Sequence, residues 1–276
     1  MVSLHSIPDE PSDRPGPLRR PPLLWRILLR ANRVFVAVTG KLVVSGEVPE
    51  ELRGQPVLVA SNHIGVFDGF VLVAACHKMG VIPYLMSTGG LFDAPVVGWA
   101  WRTCRHVRVD RGEKTVTQAM DNAIDALNGG KTLVIYPEGR ISLDAGMWPE
   151  RGKSGAARIA LGAKTPVLPV SQWGAHEAVV WGSLNVEGWN DFKPLMLSWF
   201  KSVFKRPRFK VHFGPQVPLE DLSPTTPGDA VRARDRIMRS IATGLVPLRQ
   251  DELDEPRFKD ATRPIKAKSP WTPDKL

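Results

Sequence analysis

Between residues 41 and 213, short apolar and β-branched runs alternate with longer stretches whose apolar positions recur at helical spacing. The runs Lys41 to Ser45, Val57 to Ala60, Val81 to Met86, His106 to Val109, Thr132 to Tyr136, Val167 to Val170 and Lys210 to Phe213 read as strands. Stretches 69–79, 93–103, 115–128, 153–163 and 229–243 read as helices. Such alternation predicts βαβ units, and hence an α/β fold in which one domain has a mostly parallel central β-sheet flanked by helices. No internal repeat interrupts the pattern.

Ahead of the first strand, Leu24, Leu28, Ala31, Phe35 and Val38 recur at helical spacing, with Arg26, Arg30 and Arg33 on another face. The domain is therefore preceded by a basic amphipathic N-terminal helix over 22–40. Such a helix either lies in a membrane interface, arginines at the phosphates, or packs on the domain with a solvated basic face. The basic, aromatic stretch Lys193 to Lys210, with Trp199, Phe200, Phe204 and Phe209, leaves the same choice between a surface loop with hairpin and a second membrane contact. Residues 1–21 carry five prolines and no apolar periodicity, and read as a disordered lead. The domain proper is expected over 22–246, followed by a Pro-rich charged tail over 247–276.

Composition narrows the class. The 276 residues include 37 basic and 28 acidic side chains, a formal charge of +9, and 43% apolar residues, enough for a single buried core. The surplus suggests anionic partners. The longest stretches free of charged residues, 54–67 and 79–92, are shorter than the roughly 20 apolar residues of a bilayer span and contain prolines and glycines, so no spanning helix is expected. Prolines precede any apolar run, so no signal peptide is expected either. Two cysteines, Cys76 and Cys104, form neither a disulfide framework nor a metal quartet, which points to a reducing, cytoplasmic setting.

Two segments carry chemistry. Val57-Leu-Val-Ala-Ser-Asn62-His63-Ile-Gly-Val-Phe-Asp68 is an apolar strand that stops at a polar turn and enters a helix, which puts His63 and Asp68 at the carboxyl edge of a parallel sheet. His63 can act as a general base near neutral pH. Asp68 can hold one ring nitrogen and stabilise the imidazolium formed when the other takes a proton. Taken alone, the pair is also what a satisfied loop histidine looks like. Thr132-Leu-Val-Ile-Tyr136-Pro-Glu138-Gly139-Arg140 ends as abruptly at the same edge. There Gly139 permits a turn or a close ligand approach, and Arg140 offers a planar fork for phosphate. Glu138 can orient that arginine or bind a substrate hydroxyl, and a surface ion pair is the plainer account of the same residues. With no G-x-S-x-G elbow, direct transfer to a hydroxyl is favoured over a covalent intermediate. Cys76 and Cys104 fall in apolar helical patterns as buried, inert thiols, and the remaining histidines lack metal-ligand spacing, so no metal is expected. Neither a P-loop nor a dinucleotide fingerprint is present.

Asn62-His63 with Asp68 resembles the N-H-x-x-x-x-D box of the glycerolipid acyltransferases, the family of bacterial 1-acylglycerol-3-phosphate acyltransferases. Tyr136-Pro-Glu-Gly-Arg140 resembles that family's F-P-E-G box, Val109-Asp-Arg111 the basic block between the two, and Val167-Leu-Pro-Val170 the late V-P-V box. Lys153-Ser-Gly-Ala-Ala-Arg158 is similar to its K-x-G-A stretch. The order and spacing agree over roughly residues 35 to 245.

The resemblance implies transfer of a fatty acyl group from acyl-CoA or acyl carrier protein to the free hydroxyl of 1-acylglycerol 3-phosphate, giving phosphatidic acid. His63 would deprotonate the hydroxyl and Asp68 would orient His63. Asn62, Arg111, Glu138, Gly139 and Arg140 would contact substrate, Lys153 being an additional candidate, and backbone amides near Val170 would serve the oxyanion. A groove near Trp99, Trp101 and Trp173 would take acyl chains. No cofactor is implied beyond the thioester donor. The expected partners are membrane lipids, the lysophospholipid acceptor and the donor, without nucleic acid, on the cytoplasmic face of the cell membrane as a peripheral protein. Two departures stand out. Arg140 and Ile141 occupy the places of Thr and Arg in the usual E-G-T-R, and Thr88 stands where many members have Lys. Another lysophospholipid or glycolipid acceptor, a thioester hydrolase and a non-catalytic basic membrane-binding module are the alternatives.

Overall fold

A computed structural model describes residues 20–109, 113–181 and 189–276. Most of the lead expected over 1–21 therefore lies outside the described residues. Seven strands form one sheet: β1 Lys41–Gly46, β2 Leu58–Ser61, β3 Pro83–Thr88, β4 Val107–Val109, β5 Thr132–Ile135, β6 Val167–Trp173 and β7 Arg208–Phe213. Their order is β1-β7-β6-β2-β5-β3-β4, and every neighbouring pair is parallel except β6 with β7. All seven expected strands are present, in the mostly parallel sheet that the alternation predicts.

The helices are α1 Leu23–Thr39, α2 Asp68–Lys78, α3 Gly89–Asp93, α4 Pro95–Thr103, α5 Glu113–Asn128, α6 Gly155–Gly162, α7 Trp189–Lys205 and α8 Asp229–Leu245. They cover both faces of the sheet. Leu58, Ala60 and Leu133 point into a core shared with α5, α6 and α8. The intervening Val59 and Val134 point into one shared with α2 and the second half of α1. Burial on both faces is why these strands are apolar at nearly every position rather than at alternate ones.

Three elements differ from the sequence reading. The helix expected over 93–103 is broken at Ala94, which is extended (φ −67°, ψ 130°) because the ring of Pro95 disfavours helical geometry in the residue before it. The stretch Lys193 to Lys210 is no loop and hairpin but α7 followed by β7. Pro194 lies inside α7, near its start, where a missing N–H costs one helical bond. Leu195 and Trp199 of α7 pack on the core, Trp199 stacks on Phe35 of α1, and its indole donates to Thr39 Oγ1. The stretch 247–276 keeps its prolines and charges, but it lies along the domain as a strap. Trp271 is buried in the α5–α6–α8 core, and Ser269 is buried against the loop after β5. Arg249, fully buried, sits between the rings of Trp148 and Trp173 at 4.2 and 3.9 Å.

α1 packs on the domain through Trp25, Leu29 and Val36, and the Trp25 indole donates to Pro83 O. Its opposite side exposes Leu23, Ile27, Val34 and Val38 beside Arg26, Arg30 and Arg33. The expected apolar face is thus divided: Leu24, Leu28 and Phe35 are partly covered, while Ala31 and Val38 face outward.

Candidate active site

β2 and β5 are adjacent and parallel, with Ala60 opposite Ile135, so the turns that follow them emerge side by side at the carboxyl edge of the sheet. After β2 the chain makes a short turn and enters α2 at Asp68. Its carboxylate is fully buried in the first turn of α2, where the helix dipole favours negative charge. Oδ2 accepts three bonds, from His63 Nδ1 at 2.7 Å and from the backbone N–H groups of Ile64 and Gly65 at 2.5 and 2.9 Å. Asp68 therefore folds the turn and fixes the imidazole at once. Gly65 is required here because a Cβ would lie 2.8 Å from His176 Cα.

The ring of His63 stacks on that of Tyr136, with centroids 4.1 Å apart and planes 15° from parallel. The His63 side chain is 21% exposed, and the bond to Asp68 assigns the proton to Nδ1, leaving a lone pair on Nε2. Nε2 has no partner among the described residues. The geometry is that of a general base held in one tautomer.

Glu138 occupies a different position from the one expected of a substrate contact. It is buried, with Oε1 accepting from His63 N and Oε2 from Glu150 N, both at 2.8 Å. Burial pushes its pKa up to about 8, against the pull of those two N–H groups. Asn62 is likewise buried and committed to the protein. Its amide donates to Gln172 O at 2.9 Å and accepts from Gln172 N at 2.8 Å, joining the end of β2 to β6. Both residues fasten the turn after β2. Their spacing in the sequence shows that they belong together at the edge, but not that backbone groups engage them.

Gly139 adopts φ +70°, and a Cβ there would sit 3.2 Å from Lys153 Nζ, so the lysine side chain lies across this turn. Arg140 is exposed and forms a two-bond fork with Glu150, Nε to Oε1 at 3.2 Å and Nη2 to Oε2 at 2.7 Å. Gly139, Arg140 and Lys153 thus share one rim beside the His63 turn, while Arg111 lies outside the described residues. Val170 sits in β6 with β2 on one side and β7 on the other, so its backbone faces sheet partners and not an oxyanion. Trp99 is exposed on α4, Trp101 donates to Ser87 Oγ, and Trp173 is buried with its indole on Glu252. Trp173 is therefore core and not part of a groove. Both cysteines are free and buried, and burial drives the Cys76 thiol up to about 12, consistent with inert thiols. No cluster able to hold a metal ion occurs among the described residues.

Residues 41–173, from β1 through the end of β6, match the family model described as Acyltransferase. The matched segment, a little under half of the chain, is similar to the acyltransferases. It contains both the His63–Asp68 turn and the Glu138 loop, whereas α7, β7, α8 and the strap lie beyond it. A chloroplastic 1-acyl-sn-glycerol-3-phosphate acyltransferase of Brassica napus, BAT2, is 25% identical over 142 residues, which is 51% of this chain and 40% of that protein. The chain thus aligns with about two fifths of that relative's length. The crystal structure of the 1-acyl-sn-glycerophosphate acyltransferase PlsC from Thermotoga maritima superposes with a TM-score of 0.55 at 18% identity, covering 81% of this chain and 80% of that one. That likeness establishes a shared fold, which extends past the matched segment to most of the chain.

Proposed function

We propose that the protein transfers a fatty acyl group from an acyl thioester, acyl-CoA or acyl carrier protein, to the free hydroxyl of 1-acylglycerol 3-phosphate, forming phosphatidic acid. The observation that carries this reading is the His63–Asp68 pair, whose Nε2 has no partner among the described residues, set in the segment that matches the acyltransferases. Nε2 takes the hydroxyl proton as the acceptor oxygen attacks the thioester carbonyl. Asp68, already bonded to Nδ1–H, stabilises the resulting imidazolium. Collapse of the tetrahedral intermediate breaks the C–S bond, and the imidazolium returns its proton to the departing thiolate. No enzyme-bound acyl group forms.

Arg140 and Lys153 supply positive charge on the rim beside the turn, suited to the acceptor phosphate. Arg111 is assigned to the same anion by the family resemblance. Asn62 and Glu138 act on substrate only through the turn they hold. The relative named for 1-acyl-sn-glycerol-3-phosphate supports this acceptor.

The reaction site is proposed to work at the cytoplasmic face of the membrane without spanning it. No helix among the described residues is long and apolar enough to cross a bilayer. α1 touches both α4 and α7. Together they expose Leu23, Ile27, Val34, Val38, Val96, Trp99, Leu197, Phe200 and Phe204 on one layer of helices, beside the arginines of α1. Exposed apolar side chains next to basic ones suit an anionic lipid surface.

The test is a panel of acceptors with palmitoyl-CoA and palmitoyl carrier protein, products identified by mass. Phosphatidic acid from lysophosphatidic acid is the expected major product. A preference for lysophosphatidylethanolamine or a glycolipid would change the acceptor, and equal fatty-acid release without any acceptor would make the protein a hydrolase. Sedimentation with anionic vesicles, weakened by salt, is expected, and indifference to vesicles at low salt would remove the membrane assignment.

A further inference from the structure

The strap that follows α8 packs near the turn after β2 through Leu248 and Leu253 and hydrogen-bonds to it through Arg263. Its Nη1 donates to Ile64 O at 2.6 Å and its Nη2 to Ser142 O at 2.7 Å. Ile64 follows the proposed base directly in the chain. Ser142 lies in the loop after β5, and its N–H donates to His63 O at 2.7 Å. The four backbone polar groups of His63 and Ile64 thus have four separate partners. The Glu138 carboxylate takes His63 N, Ser142 N–H binds His63 O, the Asp68 carboxylate takes Ile64 N, and the Arg263 guanidinium binds Ile64 O. Three of these partners lie within the segment that matches the acyltransferases, and Arg263 lies far beyond its last matched residue.

We propose that Arg263 is a positioning residue for the His63 base, its planar fork tying the turn after β2 to the loop after β5 so that the imidazole is held in one place during transfer. The proposal rests on the reading of His63 as the base. A guanidinium suits the task because two parallel donors on a rigid plane can bind two carbonyls at once, which a lysine ammonium does with less geometric control. The strap is also anchored without Arg263. Asp144 Oδ1 accepts from Ser269 N at 2.8 Å, Ser269 Oγ donates to Pro149 O at 2.6 Å, Leu143 O accepts from Lys266 N at 3.1 Å, and Trp271 is buried. Replacing Arg263 therefore loosens the turn without releasing the segment that carries it.

The test compares the native chain with Arg263→Met, Arg263→Lys and His63→Ala, each normalised to folded protein, by acceptor-dependent thiol release from palmitoyl-CoA. Spectra of 15N-histidine-labelled protein report the Nδ1–H bonded to Asp68. Arg263→Met is expected to lower kcat by about 10- to 100-fold with KM for both substrates little changed, the pattern of a displaced catalytic group. The His63 Nδ1–H signal should broaden, and Arg263→Lys should fall between Arg263→Met and the native chain. Native kcat together with a native His63 signal in Arg263→Met overturns the proposal while leaving His63 as base. If Arg263→Met does not fold, Arg263→Lys decides: an intermediate kcat supports the tie between the two carbonyls, and a native one overturns it. Undiminished turnover in His63→Ala would remove the base, and the proposal with it.

Discussion

The turn after β2 and the loop after β5 leave adjacent strands at the same edge of the sheet, and each opens with a titratable side chain, yet those side chains face different partners. His63 is partly exposed and has one nitrogen fixed by Asp68, while the other has no partner among the described residues. Glu138, in the matching place one strand away, is buried with both oxygens on backbone N–H groups. At a strand end, residue type alone does not decide which side chain reacts. What decides is whether the backbone has already engaged it. One loop presents the imidazole and the other holds its backbone, through Glu138 at His63 N and Ser142 at His63 O.

Substitutions that strike each side separately sharpen the contrast. Asp68→Asn is expected to have the largest effect after loss of the base itself. An amide can donate to Nδ1 and so favour the wrong tautomer, and turnover should fall by up to about 10⁴-fold. Thiol-release kinetics check it. Glu138→Gln replaces one acceptor oxygen by a donor that confronts a backbone N–H, so it should cost about 1–3 kcal/mol of stability. The displaced turn should lower kcat by about 100-fold. Denaturant unfolding and kinetics measure the two effects together.

Glu138 also predicts a pH dependence. Its folded pKa, raised from 4.5 to about 8 by burial, makes its contribution to stability fullest below pH 4.5 and lost as pH rises through 8. The stability gap between the native chain and Glu138→Gln should therefore narrow as pH increases, which thermal unfolding at several pH values will show. The smallest effect is expected at the rim. Arg140 is exposed and paired with Glu150, so Arg140→Ala should raise KM for a phosphate-bearing acceptor with kcat nearly unchanged. A large fall in kcat would place Arg140 at the reacting atoms instead.

Much of this organisation is legible in the chain. The strands show because burial on both faces writes unbroken apolar runs, and the His63–Asp68 pair shows because its spacing spans one turn. What stays hidden depends on neighbours distant in sequence. The bonding of Asn62 to Gln172 follows from β2 pairing with β6, and that of Glu138 to His63 from β2 pairing with β5. α7 was obscured by Pro194 and its basic residues, although Leu195 and Trp199 already held the spacing of a helical face. The strap has no periodicity to read. Single residues hold it, Arg263 and Ser269 by hydrogen bonds and Trp271 by burial, and none of these leaves a repeating pattern among the prolines.

The central claim is that His63 removes the acceptor's proton in a direct transfer. Thiol release from palmitoyl-CoA, with and without lysophosphatidic acid, for the native chain and His63→Ala, tests it most directly. Release that requires the acceptor and falls by about 10²- to 10⁴-fold in folded His63→Ala is the predicted result. Native-rate release by His63→Ala would contradict it.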